Sequence, residues 1–165
     1  MTDTSARELG VLAKLVIAIA ALLIMAGIVW HGVTVDNFQR AWRDLTDRPS
    51  GPMAFRFILQ PSMAAIAAVR DGLRDARTER SPYLWTILRE PHKRVARLRE
   101  GLEATARIIL LGLTMDVIYQ VIVFDEFYPI EALIIALLLA FVPYLLLRGL
   151  VVRVWHARAS AGRVR

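Results

Sequence analysis

Two long apolar runs separated by five residues constrain this chain more than any other feature. The first, IILLGLTMDVIYQVIVF, occupies 108–124, and the second, IEALIIALLLAFVPYLLL, occupies 130–147, with DEFYP between them. A bilayer core of roughly 30 Å takes about 20 apolar residues at 1.5 Å rise each, and each run with its flanking aromatics comes close to that. The pattern reads as two membrane-spanning helices joined by a tight turn. With 165 residues and 56% of them hydrophobic, the chain is too apolar for an ordinary soluble domain and too short for several.

A third run, VLAKLVIAIAALLIMAGIV at 11–29, predicts another span. Lys14 lies one turn inside it, where its stem reaches the surface, and Trp30 suits the interfacial aromatic belt. A cleaved signal peptide is the competing reading. The run is longer than a signal peptide's apolar region, and Trp30 and His31 stand where small residues would mark cleavage, so a retained anchor is expected.

The segment 53–69, MAFRFILQPSMAAIAAV, is short and carries Arg56, Gln60 and Pro61. It reads as a kinked second span or as a re-entrant segment, because proline removes a backbone donor. Ala64, Ala68 and Gly72 recur every fourth residue, a small-residue face that lets helices approach closely. Between the first two spans, Val35, Phe38, Trp42 and Leu45 form a helical stripe behind Asp36 as N-cap. That predicts a short amphipathic helix, lying on the membrane or packed on the ends of the bundle.

The link 70–107 holds ten basic and six acidic residues. Ser81-Pro82 reads as an N-cap and first helical residue, opening a short helix whose Tyr83 and Trp85 rest at the interface and which Pro91 ends. From His92 onward, Val95, Leu98, Leu102, Ala106 and Ile109 step by three and four, predicting one continuous helix into the third span. Basic residues mark the cytoplasmic side. The link and the tail after Leu147 are basic, whereas 125–129 carries only Asp125 and Glu126. Four spans therefore put both termini and the basic link 70–107 inside. If 53–69 does not cross, the N-terminus moves outside.

The net charge of +6 sits beside the apolar runs, where anionic lipid headgroups lie. Acids interspersed with the bases, and the lack of a reading motif, argue against nucleic-acid binding. With no cysteine there is no disulfide or thiolate site, and His31, His92 and His156 lack metal-ligand spacing. No nucleophile–base set or phosphate loop is present, so no catalytic residue, cofactor or metal is expected.

Asp116, in the middle of the third span, is the leading candidate for function, since an intramembrane acid costs about 2.5–3.5 kcal/mol on insertion scales. Gln60 lies at a matching depth in an oppositely running span, which predicts an Asp116–Gln60 hydrogen bond. Tyr119 and Gln120, three and four residues on, share or flank the Asp116 face. The pocket is either a protonatable transport site or a carboxyl that holds helices together. Side chains tilt toward their helix N-termini, which sends Arg56 outward, to lipid phosphates or to Asp125, Glu126 or Glu131, rather than to Asp116.

The strings FRFILQPSMAAIAAVRDGLRDARTERSPYLW, MDVIYQ, FYPIEA and FVPYLLLRG, over roughly 55–150, resemble a group of small bacterial inner-membrane proteins with no attached activity. The resemblance implies a bacterial membrane protein folding as one unit and carries over no site residue. Arginine-rich, lysine-poor usage agrees with a bacterial source. The expectation is an all-α integral membrane bundle of four spans, a single domain over 1–165, with short surface helices. Its expected role is that of a non-catalytic interaction or accessory subunit, meeting anionic lipid and a membrane partner or second copy through Ala64, Ala68, Gly72 and the basic link. The alternative is a small proton- or ion-coupled transporter or channel using Asp116 with Gln60.

Overall fold

A computed structural model describes residues 10–32, 39, 42, 43, 46, 54–78, 80–123 and 126–162. These residues form α1 (Val11–His31), α2 (Arg56–Arg77), α3 (Tyr83–Arg89), α4 (Pro91–Val123) and α5 (Pro129–Gly162), with no strand among them. Three helices, α1, α4 and α5, are long and apolar enough to cross a membrane. Of the surface helix expected over 33–49, only Gln39, Trp42, Arg43 and Thr46 are described, and Trp42 is exposed. The rest of that expectation, with Asp36 as its cap, lies outside the described residues.

The side-by-side order of the helices follows from their contacts. Gly10, preceding α1, donates its N–H to Glu103 of α4 at 3.1 Å, and His31, ending α1, contacts the Phe127 carbonyl at 3.0 Å and stacks on Tyr128. So α1 runs parallel to α4, from the Glu103 end of the bundle to the α4–α5 turn. Gly32 closes α1 at φ 64°, a value glycine adopts without steric cost, and its N–H returns to the Ile28 carbonyl. On α2, Arg56 meets Asp116 of α4, whereas Asp75 meets Arg148 of α5. Thus α2 runs back, antiparallel to α4 and parallel to α5.

Every-fourth-residue rows build the core. On α2 the row is Arg56, Gln60, Ala64, Ala68 and Gly72, continued by Asp75, and all are buried. On α5 it is Ala132, Ala136, Ala140, Tyr144, Arg148 and Val152, none more than 1% exposed. Residues four apart lie one above another on a helix, so small residues in both rows let the two backbones close up. A methyl added at Gly72 would lie 2.9 Å from Val151 Cβ and 3.0 Å from the Arg148 carbonyl. The small-residue face expected to meet a partner is therefore filled by α5 of the same chain.

The outward face of α2 is apolar: Phe55, at its N-cap, and Ile58, Leu59, Ile66 and Val69 are exposed. Up to Val69 the helix is thus polar inside and apolar outside, and beyond it Arg70, Arg74 and Arg77 are exposed. Its bounds differ from the expected 53–69, starting later and ending at Arg77, because the inward polar row continues to Asp75. It passes Pro61 without interruption, although the missing N–H leaves the Phe57 carbonyl without that intrahelical donor, and no re-entrant break occurs along it. The fifth helix likewise runs through Pro143 and well beyond Leu147, the expected end of the last span.

The continuous helix expected from His92 into the third span is present as α4. The start of α3 differs by one residue. Pro82, not Ser81, occupies its N-cap, with no side-chain cap, and the Pro82 carbonyl accepts the Thr86 N–H at 3.0 Å. Tyr83 is fully buried rather than interfacial, because α3 folds back against α4 and α5.

Candidate functional site

The described bundle carries two buried polar clusters, one near each end of its core, separated by the small residues of α2 and α5. From Asp116 to Glu100 along α4 the axial distance is roughly 24 Å.

The first cluster lies toward the α4–α5 turn. Arg56 Nη1 stands 2.8 Å from Asp116 Oδ1, with side chains 1% and 0% exposed. The Arg56 guanidinium also lies over the Tyr119 ring, 4.7 Å from its centroid, a cation–π contact. Asp116 Oδ2 accepts the Gln120 amide at 2.5 Å, from the residue one turn on. Gln120 completes a clamp: its Oε1 accepts the Tyr128 N–H at 2.6 Å and its Nε2 donates to the Tyr128 carbonyl at 3.3 Å. A backbone pair in the turn after α4 is thereby satisfied by a side chain of α4 itself, which fixes where the chain reverses.

Arg56, Asp116, Tyr119 and Gln120 are therefore gathered as one group, but not with the expected bonds. Arg56 turns to Asp116, although the backward tilt of its side chain pointed outward. With α2 starting opposite Asp116, the side chain has no need to travel along the axis. Asp116 takes its amide donor from Gln120 instead of Gln60. Gln60 is buried against Gly112, where an added methyl would lie 3.1 Å from its Nε2, and its Oε1 accepts no hydrogen bond among the described residues.

The second cluster lies at the other end and was not foreseen. Arg148 of α5, 1% exposed, donates through Nε to Asp75 at 2.8 Å, through Nη2 to Glu100 at 2.6 Å and through Nη1 to the Tyr144 hydroxyl at 2.7 Å. The Tyr144 hydroxyl donates to Asp71 at 2.7 Å, and Arg97 reaches Glu100 at 3.1 Å. Tyr83 stacks against the Arg148 guanidinium at 4.2 Å and donates its hydroxyl to the Arg97 carbonyl. Burial pushes the Tyr83 phenol above its usual pKa despite the opposing pull of Arg148, so it stays a donor. Four helices meet here. Gly101 makes room, since a methyl there would strike the Tyr83 hydroxyl.

A sequence signal for this second cluster does exist. Asp75 continues the inward row of α2, and Arg148 that of α5. Read as part of a charged link and a basic tail, they pass for topology markers. Read as the ends of two rows of small residues, they point inward.

Chemically, both clusters hold guanidinium–carboxylate pairs with charges opposed and hydrogen bonds internal. Among the described residues no group of three His, Cys, Asp or Glu is placed to hold a metal ion. No family model matches the chain, and neither the curated proteins nor the solved structures contain a match.

Proposed function

We propose that the protein crosses a bacterial inner membrane four times, with both termini cytoplasmic, and acts without catalysis as an interaction or accessory subunit. The observation that carries this reading is the course of α2. It takes the chain from the end of the bundle shared by His31 and the α4–α5 turn back to the end shared by Gly10 and Arg148. If α1 crosses, α2 must return. Its 22 residues span roughly 33 Å, and its outward face is apolar, as lipid requires. Hydropathy averaged over the helix misses this, because its polar residues are turned inward onto partners. The helix begins opposite Asp116, roughly 12 Å short of the turn by helical rise.

Orientation follows from charge. The end with both termini carries the basic link and tail, which favours the cytoplasmic face. The non-catalytic role is supported by how the polar groups are engaged. Asp116 is held by Arg56 and Gln120, and Arg148 by Asp75, Glu100 and Tyr144. Because α5 occupies the small-residue face of α2, contact with a partner passes to the outward apolar sides of α1 and α2.

Reporter fusions at each terminus test the crossing number: both cytoplasmic is the expected result, and an external N-terminus overturns it. Purification in mild detergent tests the role. A stable co-purifying membrane protein is expected, and a lone monomer counts against the subunit reading. The transporter alternative keeps one observation in its favour, the buried and unbonded Oε1 of Gln60 among the described residues. It requires a proton- or ion-dependent flux in liposomes that Asp116→Asn abolishes while the protein stays folded.

A further inference from the structure

An open groove of about 880 Å³ runs along the outward face of α2. Its apolar part is Ala65, Ile66, Val69 and Leu73, and its other end carries Arg70, Arg74 and Arg77. Those three arginines are exposed and enter no ion pair among the described residues, unlike Arg56, Arg97 and Arg148. They recur at steps of four and three, so they line one side of the helix. The single acid in the groove, Asp71, is bonded to the Tyr144 hydroxyl at 2.7 Å. Three cations against one acid leave the groove with a net charge of +2.

Height along the bundle matches this division. Asp71 is level with Tyr144 and Asp75 with Arg148, just where the last apolar run ends. Arg70, Arg74 and Arg77 therefore lie at the inner headgroup level, while Ile66 and Val69 lie just below it. A guanidinium offers a planar fork that binds phosphate oxygens in pairs, and a volume of this size falls in the range of ligand sites. We propose that this groove is a binding site for an anionic phospholipid of the inner leaflet, its phosphate held by Arg70, Arg74 and Arg77 and an acyl chain lying over Ile66, Val69 and Leu73. The proposal rests on the crossing of α2 but names a ligand and residues that the crossing does not imply.

The test uses the full chain in nanodiscs made from equal amounts of phosphatidylglycerol and phosphatidylcholine, released into native mass spectrometry to count retained lipids. Wild type is expected to retain phosphatidylglycerol over phosphatidylcholine by about tenfold. Arg70→Gln with Arg74→Gln and Arg77→Gln brings the ratio near one. Arg94→Gln with Arg99→Gln and Arg153→Gln removes the same charge outside the groove and leaves the preference intact. Should the triple groove variant fail to fold, Arg74→Gln alone is expected to lower the ratio about threefold. Equal loss in both triple variants overturns the site in favour of a general basic surface. No preference in wild type, or displacement of the lipid by millimolar glycerol phosphate as readily as by added phosphatidylglycerol, also overturns it. Terminal reporters read the crossing and lipid retention reads the groove, so either can fail while the other stands.

Discussion

Arg56–Asp116 and Arg148–Asp75 are both buried guanidinium–carboxylate pairs, at 2.8 and 2.7 Å, yet they keep different company. Arg56 lies over the Phe57 and Tyr119 rings and pairs with Asp116, which accepts the Gln120 amide from its own helix. Arg148 has two carboxylates and a stacked ring from three neighbouring helices and a phenol from its own, and Glu100 in that set is 40% exposed. The first pair sits at membrane depth in the proposed arrangement, where water offers no alternative. The second opens to solvent at its rim. Burial alone does not set the worth of an ion pair: what matters is what remains when one partner leaves.

Variants sharpen that difference, read as thermal stability in mild detergent, where each kcal/mol moves Tm by about 2–4 °C for a chain of this size. The largest effect is expected from Arg148→Ala, which leaves Asp75 only its longer contacts with Arg97 and Arg80 and unties α2, α4 and α5 together, at about 3–5 kcal/mol. A shift no larger than that of Asp116→Ala would equate the two ends and break the comparison. Next, Asp116→Ala leaves Arg56 buried without its carboxylate and costs about 3 kcal/mol. Adding Arg56→Met should return most of that loss, because two matched apolar groups replace a matched pair. If the double variant is no better than Asp116→Ala alone, the pair does more than hold helices.

Between the clusters, Gly72→Ala is expected to cost about 1–3 kcal/mol by forcing α2 off α5, with both ion pairs intact. Smallest is Glu100→Gln, at about 0–1 kcal/mol, since its carboxylate is partly in water. Raising salt from 0.05 to about 1 M should shrink the Glu100→Gln effect further and leave the Asp116→Ala effect unchanged. The reverse pattern would place the solvent at the wrong end.

Much of the bundle was legible because its cues are local. The apolar runs, the three–four stepping from Val95 to Ile109 and the acid in the 108–124 run translate into α4 and its site. Gln120 was legible as the neighbour one turn from Asp116. What escaped depends on which way a helix faces. Hydropathy sums over all sides, so α2, with Arg56 and Asp75 inward and Ile58 and Ile66 outward, reads as a poor span. Tyr83 reads as an interfacial aromatic until α3 is known to fold back. The partner of Arg56 turns on where α2 begins relative to α4, and helix boundaries are the least local feature of all.

The inverted polarity of α2 has a consequence for synthesis. Alone in a bilayer, Arg56 and Gln60 would face hydrocarbon, and insertion would be unfavourable. The group that neutralises Arg56 is made later: Asp116 follows it by 60 residues. At roughly 5–20 residues per second, that leaves roughly 3–12 s of translation during which Arg56 lacks that carboxylate. In the proposed arrangement the helix waits beside the insertion machinery or at the membrane surface and takes its final position only after the C-terminal hairpin has entered. Assembly thus proceeds out of chain order, with the last helices synthesised admitting the second.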